Sequence, residues 1–179
     1  MTRTEIQNHM EGYLRSYGIP YTKDVDFSCE APRMTILYPG YQSVVLEGCL
    51  WFYQRSMEAR VYYNETVSHW CRNSPHIPQL LRLFNYIHAR IWPRCGEGTR
   101  GILYTPRLYL SEDGHYDIML NTAISYNIFA AAPLETEHYI TVCCPDLLNE
   151  LSPAIFGVLG GSMDAEHAIQ YVKQHILNE

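Results

Sequence analysis

The first element predicted by the apolar pattern is a helix over residues 4–17, because apolar side chains recur there every three or four positions. Its stripe comprises Ile6, Met10, Tyr13, Leu14 and Tyr17. Thr2 and Glu5 have the spacing of a capping box, in which each side chain bonds the other residue's backbone N–H. Gly18 and Pro20 are typical of the end of a helix.

The pattern then changes to the two-residue alternation of β-strands. Residues 34–38 form a clear alternating run, and Pro39-Gly40 predicts a turn after it. Residues 44–52 predict a long strand that is apolar on both faces, and residues 60–63 predict another strand. An earlier strand is placed at residues 21–27.

Helical spacing returns over residues 77–91 and again in the C-terminal third of the chain. The stripe of the 77–91 helix comprises Leu80, Leu81, Phe84, Ile87, His88 and Ile91. We expect His88 to be a core histidine with satisfied ring nitrogens. Residues 135–151 predict a further helical run that Pro145 kinks or divides. A last helix begins after Ser162, with the stripe Ala168, Ile169, Val172 and Ile176.

Two strands, at residues 102–110 and 116–120, are predicted between these helices, and Asp113-Gly114 suits a hairpin loop joining them. Pro106 cannot donate a ladder hydrogen bond, so its strand is expected at a sheet edge or a bulge. Strands therefore pair as hairpins and do not alternate singly with helices. This order predicts an α+β fold, an antiparallel sheet of about five strands with helices packed on one face. We take residues 1–179 as one domain.

Composition narrows the class of protein. Hydrophobic residues make up 47% of the 179 residues and charged residues 18%, which excludes a disordered chain. The net charge is −6, and the thirteen basic residues are scattered. Neither nucleic acid nor an anionic membrane surface is therefore an expected partner.

The N-terminal residues lack the apolar core of a signal peptide, and no run approaches the ~18 apolar residues of a membrane helix. These features predict a cytoplasmic protein. The six cysteines are then expected to be reduced and to act mostly as small apolar side chains.

Residues 96–101, Gly-Glu-Gly-Thr-Arg-Gly, match the dinucleotide-binding pattern G-x-G-x-x-G. That pattern must follow a strand and open a helix, so that the helix N-terminus meets the pyrophosphate. Here a predicted helix precedes the glycines and a strand follows, and Asn121 stands where an acidic residue is expected. A turn-forming connector is the favoured interpretation.

Two pairs of possible metal ligands have strand-like spacing, Asp24 with Asp26 and His69 with Cys71. A zinc site built on either pair would need further ligands from elsewhere in the chain. A solvated acidic edge and a half-buried histidine are the simpler interpretations. We assign no metal and no cofactor.

The sequence offers few candidates for a catalytic nucleophile. The neighbours Cys143 and Cys144 would point about 100° apart on a helix, which makes a disulfide between them strained. Cys95, beside Arg94, is the better candidate for a reactive thiol. No serine elbow or arranged histidine is present, so no catalytic residue is assigned.

Residues 77–88, Ile-Pro-Gln-Leu-Leu-Arg-Leu-Phe-Asn-Tyr-Ile-His, resemble a helix of the YbjN-like family. In that family a proline opens an apolar run, and an Asn is followed three residues later by Asn or another polar residue. Asn85 matches that position, and His88 departs from it. The strand at 101–104, the hairpin at 112–114 and the strand at 116–120 follow in the family's order.

The chain's ending also resembles the family, with the glycine turn of residues 156–161 and the Ala-Ile pair of Ala168 and Ile169 in the final helix. The resemblance implies a fold similar to type III secretion chaperones, an α+β unit that often dimerises. It implies a regulatory or chaperone-like role and defines no catalytic residues.

Fifteen tyrosines are the last unusual feature, and about half of them fall on predicted strands. A tyrosine keeps a wet hydroxyl over an apolar ring, which suits a contact surface. The expected contact residues are Trp51, Tyr53, Tyr62 and Tyr109. We expect a non-enzymatic protein-binding module whose partner is a protein, a peptide or a second copy of the chain. The alternative is an enzyme or small-ligand binder with a pocket near residues 94–101.

Overall fold

An antiparallel sheet forms the centre of the fold, seen in a computed structural model that describes residues 1–90, 106–111 and 114–179. Over these residues the strands are β1 Thr22–Asp26, β2 Ala31–Pro39, β3 Val45–Phe52, β4 Ser56–Tyr63, β5 Arg107–Leu110 and β6 Ile118–Ser125. Their order across the sheet is β1-β2-β3-β4-β6-β5. The α+β class and the antiparallel sheet are confirmed, with six strands where about five were expected.

The helices are α1 Arg3–Ser16, α2 Glu65–Asn73, α3 Ile77–Arg90, α4 Tyr126–Ala131, α5 Pro133–His138, α6 Cys144–Leu159 and α7 Ala165–Val172. A 3₁₀ turn covers Tyr41–Ser43, and π-helical turns cover Tyr139–Cys143 and Lys173–Leu177. The apolar stripes of these helices and one row of each strand from β2 to β6 belong to one hydrophobic core. The helices therefore cover one face of the sheet.

The beginning of α1 is set by the predicted capping box. Thr2 Oγ1 accepts a hydrogen bond from the Glu5 backbone N–H at 3.3 Å, and Glu5 Oε2 accepts one from the Thr2 N–H at 2.7 Å. Two backbone donors that the helix leaves open are thereby satisfied. The stripe residues Ile6, Met10 and Leu14 then lie fully buried in the core.

The long C-terminal helical run is continuous from Pro133 to Leu159. Pro145 has no N–H to donate to the preceding turn, and the π-helical turn Tyr139–Cys143 accommodates the change of hydrogen bonding just before it. By length and composition this run could cross a membrane, and 67% of its most apolar window is buried within the fold. The sequence pattern, which Pro145 interrupts, did not reveal a run of that length.

Several predicted elements need correction. Helix α2 was not predicted, and it places His69 and Cys71 on a helix, where residues two apart do not share a face. On α3, Leu81 and His88 are exposed while Leu83 is buried. His88 is thus not a core histidine, and its Nε2 accepts a hydrogen bond from the Leu108 N–H at 2.8 Å.

The C-terminal hairpin also differs from its prediction. β6 continues to Ser125, and Tyr116 stands outside it with a φ of 63°, which breaks the extended chain. Pro106 directly precedes β5, and β5 is an edge strand, as its proline predicted. The predicted strand residues 102–105 lie outside the described residues.

Candidate functional site

The sheet face opposite the helices, here called the outer face, brings most of the expected contact residues together. Its central side chains come from alternate positions of five strands: Arg33, Thr35 and Leu37 of β2, Glu47, Cys49 and Trp51 of β3, Glu58, Arg60 and Tyr62 of β4, Met119 and Asn121 of β6, and Tyr109 of β5. Its buried hydrophobic residues form a small cluster of their own, separate from the main core. In the described part of the chain, that cluster contains no helix residue.

The strand register places the four expected residues on or beside this face. Trp51 is opposite Glu58 on β4, and Tyr62 is opposite Met119 on β6. Tyr109 is opposite the same Met119 from the other side. Tyr53, one residue beyond the end of β3, packs against the cluster. The sheet therefore assembles these residues on one surface.

Trp51 is the centre of the outer face, and it is buried rather than exposed. Only 6% of its surface is accessible. The guanidinium carbon of Arg60 lies 4.6 Å from the ring centre, and that of Arg33 lies 6.0 Å from it. The indole Nε1–H donates to Asp26 Oδ2 at 2.8 Å. Its burial under two arginines makes Trp51 the floor of the surface.

Glu58 accepts hydrogen bonds from several polar groups beside Trp51. It accepts hydrogen bonds from Arg60 Nε at 2.9 Å and Nη2 at 3.1 Å, from Tyr53 Oη at 3.2 Å, and from Asn121. Burial alone would raise the pKa of Glu58, but the bonds from Arg60 and Asn121 outweigh it and hold that pKa below its usual value. Burial, with Glu58 nearby, raises the pKa of Tyr53 to about 12. The network therefore holds an ionised carboxylate beside a neutral phenol.

A second group of contacts centres on Cys49. Its Sγ lies 3.3 Å from Tyr62 Oη and 3.6 Å from Thr35 Oγ1. The Tyr62 hydroxyl donates to Glu47 Oε2 at 3.2 Å. Burial is the main reason that the pKa of Tyr62 is raised, so this tyrosine stays a neutral donor.

The possible metal ligands have other roles. Asp24 forms a paired contact with Arg33, at 2.9 Å to Nε and 2.6 Å to Nη2. Asp26 accepts from the Ser28 hydroxyl, from Trp51 and from the Ser28 N–H, and these bonds lower the pKa of Asp26 to about 2. Burial raises the pKa of the Cys71 thiol to about 12. Throughout residues 1–90, 106–111 and 114–179, no group of three or more His, Cys, Asp or Glu is placed to hold a metal ion.

Sequence reasoning found the aromatic residues of the outer face and missed its charged ones. Arg33, Arg60 and Glu58 are ordinary strand residues until the register shows that they flank Trp51. The available signal was the same two-residue alternation, because Glu58, Arg60 and Tyr62 lie on one face of a strand. Leu37, 61% exposed, adds an apolar residue to the rim of this face.

The alternative site falls elsewhere in the chain. The glycine motif at 96–101, the thiol of Cys95 and the pocket expected near residues 94–101 lie outside the described residues. Cys143 and Cys144 are both buried. The small-ligand interpretation thus stays a prediction.

Comparisons of the chain with models of known protein families, with curated proteins and with solved structures find no match. The resemblance to the YbjN-like family and the cytoplasmic location therefore stay predictions.

Proposed function

We propose that this protein is a non-enzymatic, chaperone-like or regulatory binding module that contacts a protein partner through its outer face. A second copy of the chain is the partner that we propose. The observation that carries this proposal is the joint placement of Trp51, Tyr62, Tyr109, Arg33 and Arg60 on a sheet face apart from the helical core.

The residue types on this face are those that interfaces use. Tryptophan, tyrosine and arginine dominate the residues with large binding contributions, because they combine a wide apolar surface with directional hydrogen bonds. Both arginines of the face are already paired, Arg33 with Asp24 and Arg60 with Glu58, whereas Glu47 accepts a hydrogen bond from Tyr62. A partner that covers these pairs leaves no isolated ion buried, which would be strongly unfavourable.

The charge arrangement favours self-association. Along the row through Trp51, Arg33 stands on one side and Glu58 on the other. A twofold-related copy reverses that row, so Arg33 of one chain can face Glu58 of the other. The YbjN-like resemblance, which implies a dimerising chaperone-like fold, supports the same proposal.

Light scattering across a range of concentrations tests this proposal, with Leu37→Lys as the variant. Leu37 is exposed on the outer face opposite Glu47, so the lysine can be accommodated in the monomer. We expect wild-type chain to approach twice the monomer mass as concentration rises, and the variant to stay monomeric.

Leu81→Lys is the matched control, because it makes the same change at an exposed leucine on α3, among the helices. We expect this control to associate like the wild type. A wild-type chain that stays monomeric at the highest concentration, or a control that dissociates as readily as Leu37→Lys, would overturn the self-associating outer face.

A further inference from the structure

A groove runs between α1 and α5, among the helices that cover the sheet. Its volume is about 440 Å³. The lining residues are Asn8, His9, Gly12, Tyr13 and Ser16 from α1 and Leu134 and Glu137 from α5. The groove is open to solvent, and its lining residues do not belong to the outer face.

Glu137 is the unusual residue of this groove. Its side chain is 1% exposed, and its Oε1 is buried without a hydrogen-bond partner. The nearest ionisable group is His9, whose Nδ1 lies 3.6 Å from that oxygen, beyond hydrogen-bond distance. A buried carboxylate oxygen without a donor is costly, so such a group calls for a partner.

The other polar groups around Glu137 are engaged with the protein itself. The Ser16 hydroxyl donates to the Tyr13 carbonyl oxygen at 2.8 Å, and Thr141 Oγ1 donates to the Glu137 carbonyl oxygen at 2.6 Å. Tyr13 Oη lies 3.4 Å from His138 Nδ1. The carboxylate Oε1 is therefore a buried acceptor in the groove that a ligand can satisfy.

Gly12 lines the groove on the side of α1 and places no side chain in it. It lies in the middle of α1, where glycine is less favourable than alanine by roughly 0.5–1 kcal/mol. A Cβ added there would meet no atom within 4 Å. The room left by this glycine is part of the groove, so the helix carries a local cost at the position where a ligand would pass.

We propose that the groove binds a primary ammonium group carried on a short unbranched alkyl chain, with Glu137 as its counter-ion and Leu134 against the chain. A single orphan oxygen suits the point charge of an ammonium, whereas a guanidinium needs two oxygens in a fork. His9 lies 3.6 Å from Oε1 and is 49% exposed, and this proposal requires its side chain to rotate away when the ligand binds.

The charge state of Glu137 links this binding to pH. Burial raises the pKa of Glu137 to about 7, and an ammonium partner favours its ionised form. The titratable groups that face it or its neighbour Tyr13 are His9 and Tyr13 of α1, Tyr17 just after α1, His138 of α5 and Cys143 of the π-helical turn. Ionisation of Glu137 therefore strengthens binding as pH rises. We expect affinity to increase about tenfold between about pH 6 and pH 8.

Titration of the whole protein with n-pentylamine hydrochloride, followed by NMR chemical-shift changes, tests the proposal. 1-Pentanol is the neutral control with the same chain length. Nα-acetyl-lysine N-methylamide presents the same ammonium on a peptide side chain. Binding of both amines indicates that a protein lysine can occupy the groove, and binding of pentylamine alone indicates a free amine.

Two variants locate the site. Glu137→Gln removes the charge and keeps the shape, and we expect at least tenfold weaker binding of pentylamine. Gly12→Leu places a side chain in the groove and leaves residue 137 unchanged, and leucine suits a helix better than glycine does, so folding is retained. It should abolish binding. Equal binding of pentanol and pentylamine, no saturable shift at the groove residues, or unchanged binding by either variant would overturn the proposal.

Discussion

The guanidinium of Arg60 lies 4.6 Å over the ring of Trp51 and also donates two hydrogen bonds to Glu58. One side chain thus covers the tryptophan and neutralises the neighbouring carboxylate. Trp51 and Glu58 face each other across β3 and β4, so the contact depends on the register of that hairpin. Trp51 therefore belongs to a small buried cluster on the outer face, separate from the main core.

Replacing Arg60 with methionine should destabilise the protein by about 1–2 kcal/mol. The methionine keeps the apolar stem over Trp51 but loses the cation–π contact and leaves Glu58 with less compensation for its partial burial. Urea unfolding followed by tryptophan fluorescence measures the change. Arg60→Lys, which retains the charge but not the fork, should lose less. Equal stability of Arg60→Met and wild type would contradict this role.

Lowering the pH should break the hydrogen bond between Trp51 and Asp26 before the main core unfolds. The pKa of Asp26 is lowered to about 2, first by the Ser28 hydroxyl and then by Trp51, so its ionised form is favoured in the folded state. The stabilisation is complete above the unfolded pKa of about 4 and is lost as pH falls through about 2. Trp51 fluorescence should shift in that window. Asp26→Asn should lack this transition, and an unaltered transition in the variant would contradict the assignment.

Glu137→Gln should stabilise the protein at alkaline pH. The folded-state pKa of about 7 lies above the unfolded value, so the folded protein binds the proton more tightly, and its stability falls as pH rises from about 4.5 through 7. Glutamine carries no such penalty, and we expect a gain of about 2 kcal/mol at pH 8. Unfolding free energies measured from about pH 5 to 8 test this.

A matched control is available on the same helix. Glu135 is exposed on α5, so Glu135→Gln should change stability little at any of these pH values. The two curves for wild type and Glu137→Gln should draw together toward pH 5 and meet below about pH 4.5, where the carboxyl group is protonated in both the folded and the unfolded chain. A constant difference across the whole range would show that packing, and not ionisation, separates them.

Tyr63→Phe should cost about 1–2 kcal/mol of folding free energy. The fully buried Tyr63 hydroxyl donates to the Leu148 carbonyl oxygen at 2.9 Å and lies 2.8 Å from Ser152 Oγ, which joins β4 to α6. Loss of the hydroxyl leaves these buried groups with one partner fewer. Thermal unfolding of Tyr63→Phe, Ser152→Ala and the double variant gives the coupling. Strictly additive effects would indicate that the contact contributes nothing.

The elements whose apolar residues recur at regular helical or strand spacing were predictable from the sequence. The stripe of α1 and its capping box fixed that helix to within a residue or two at each end. The alternation of residues 34–38 and the long apolar run of residues 44–52 predicted the strands β2 and β3. The edge position of β5 followed from Pro106. Each of these features depends on local chemistry alone, which a single sequence displays.

The missed elements have polar residues in buried rows. Thr122 lies in the core row of β6, so the strand's alternation was not recognised beyond residue 120. Ser68 is buried on α2 and donates to Asp117, and without that distant partner it resembles a surface residue. Tertiary hydrogen bonds that compensate polar groups are invisible to a hydropathy pattern.

The candidate sites also combine residues that the sequence points to with contacts that only the fold reveals. Residue type alone pointed to Trp51 and Tyr62 as contact residues, but placing them on one face and covering the tryptophan with Arg33 and Arg60 required the pairing of three strands. Glu137 sits in a helical stretch whose sequence gives no sign of burial. Its importance arises from α1, which packs beside it although the two elements are far apart in the sequence.

The sheet order has a consequence for synthesis of the chain. Strands β1 to β4 are successive neighbours in the sheet, so they can pair as soon as they leave the ribosome. Strand β6 pairs with β4 only after α2 and α3 have been made. Until then the far edge of β4 exposes unpaired N–H and C=O groups. The nascent chain thus passes through an interval in which an open strand edge can recruit the wrong neighbour, and rapid translation of the segment up to β6 shortens that interval.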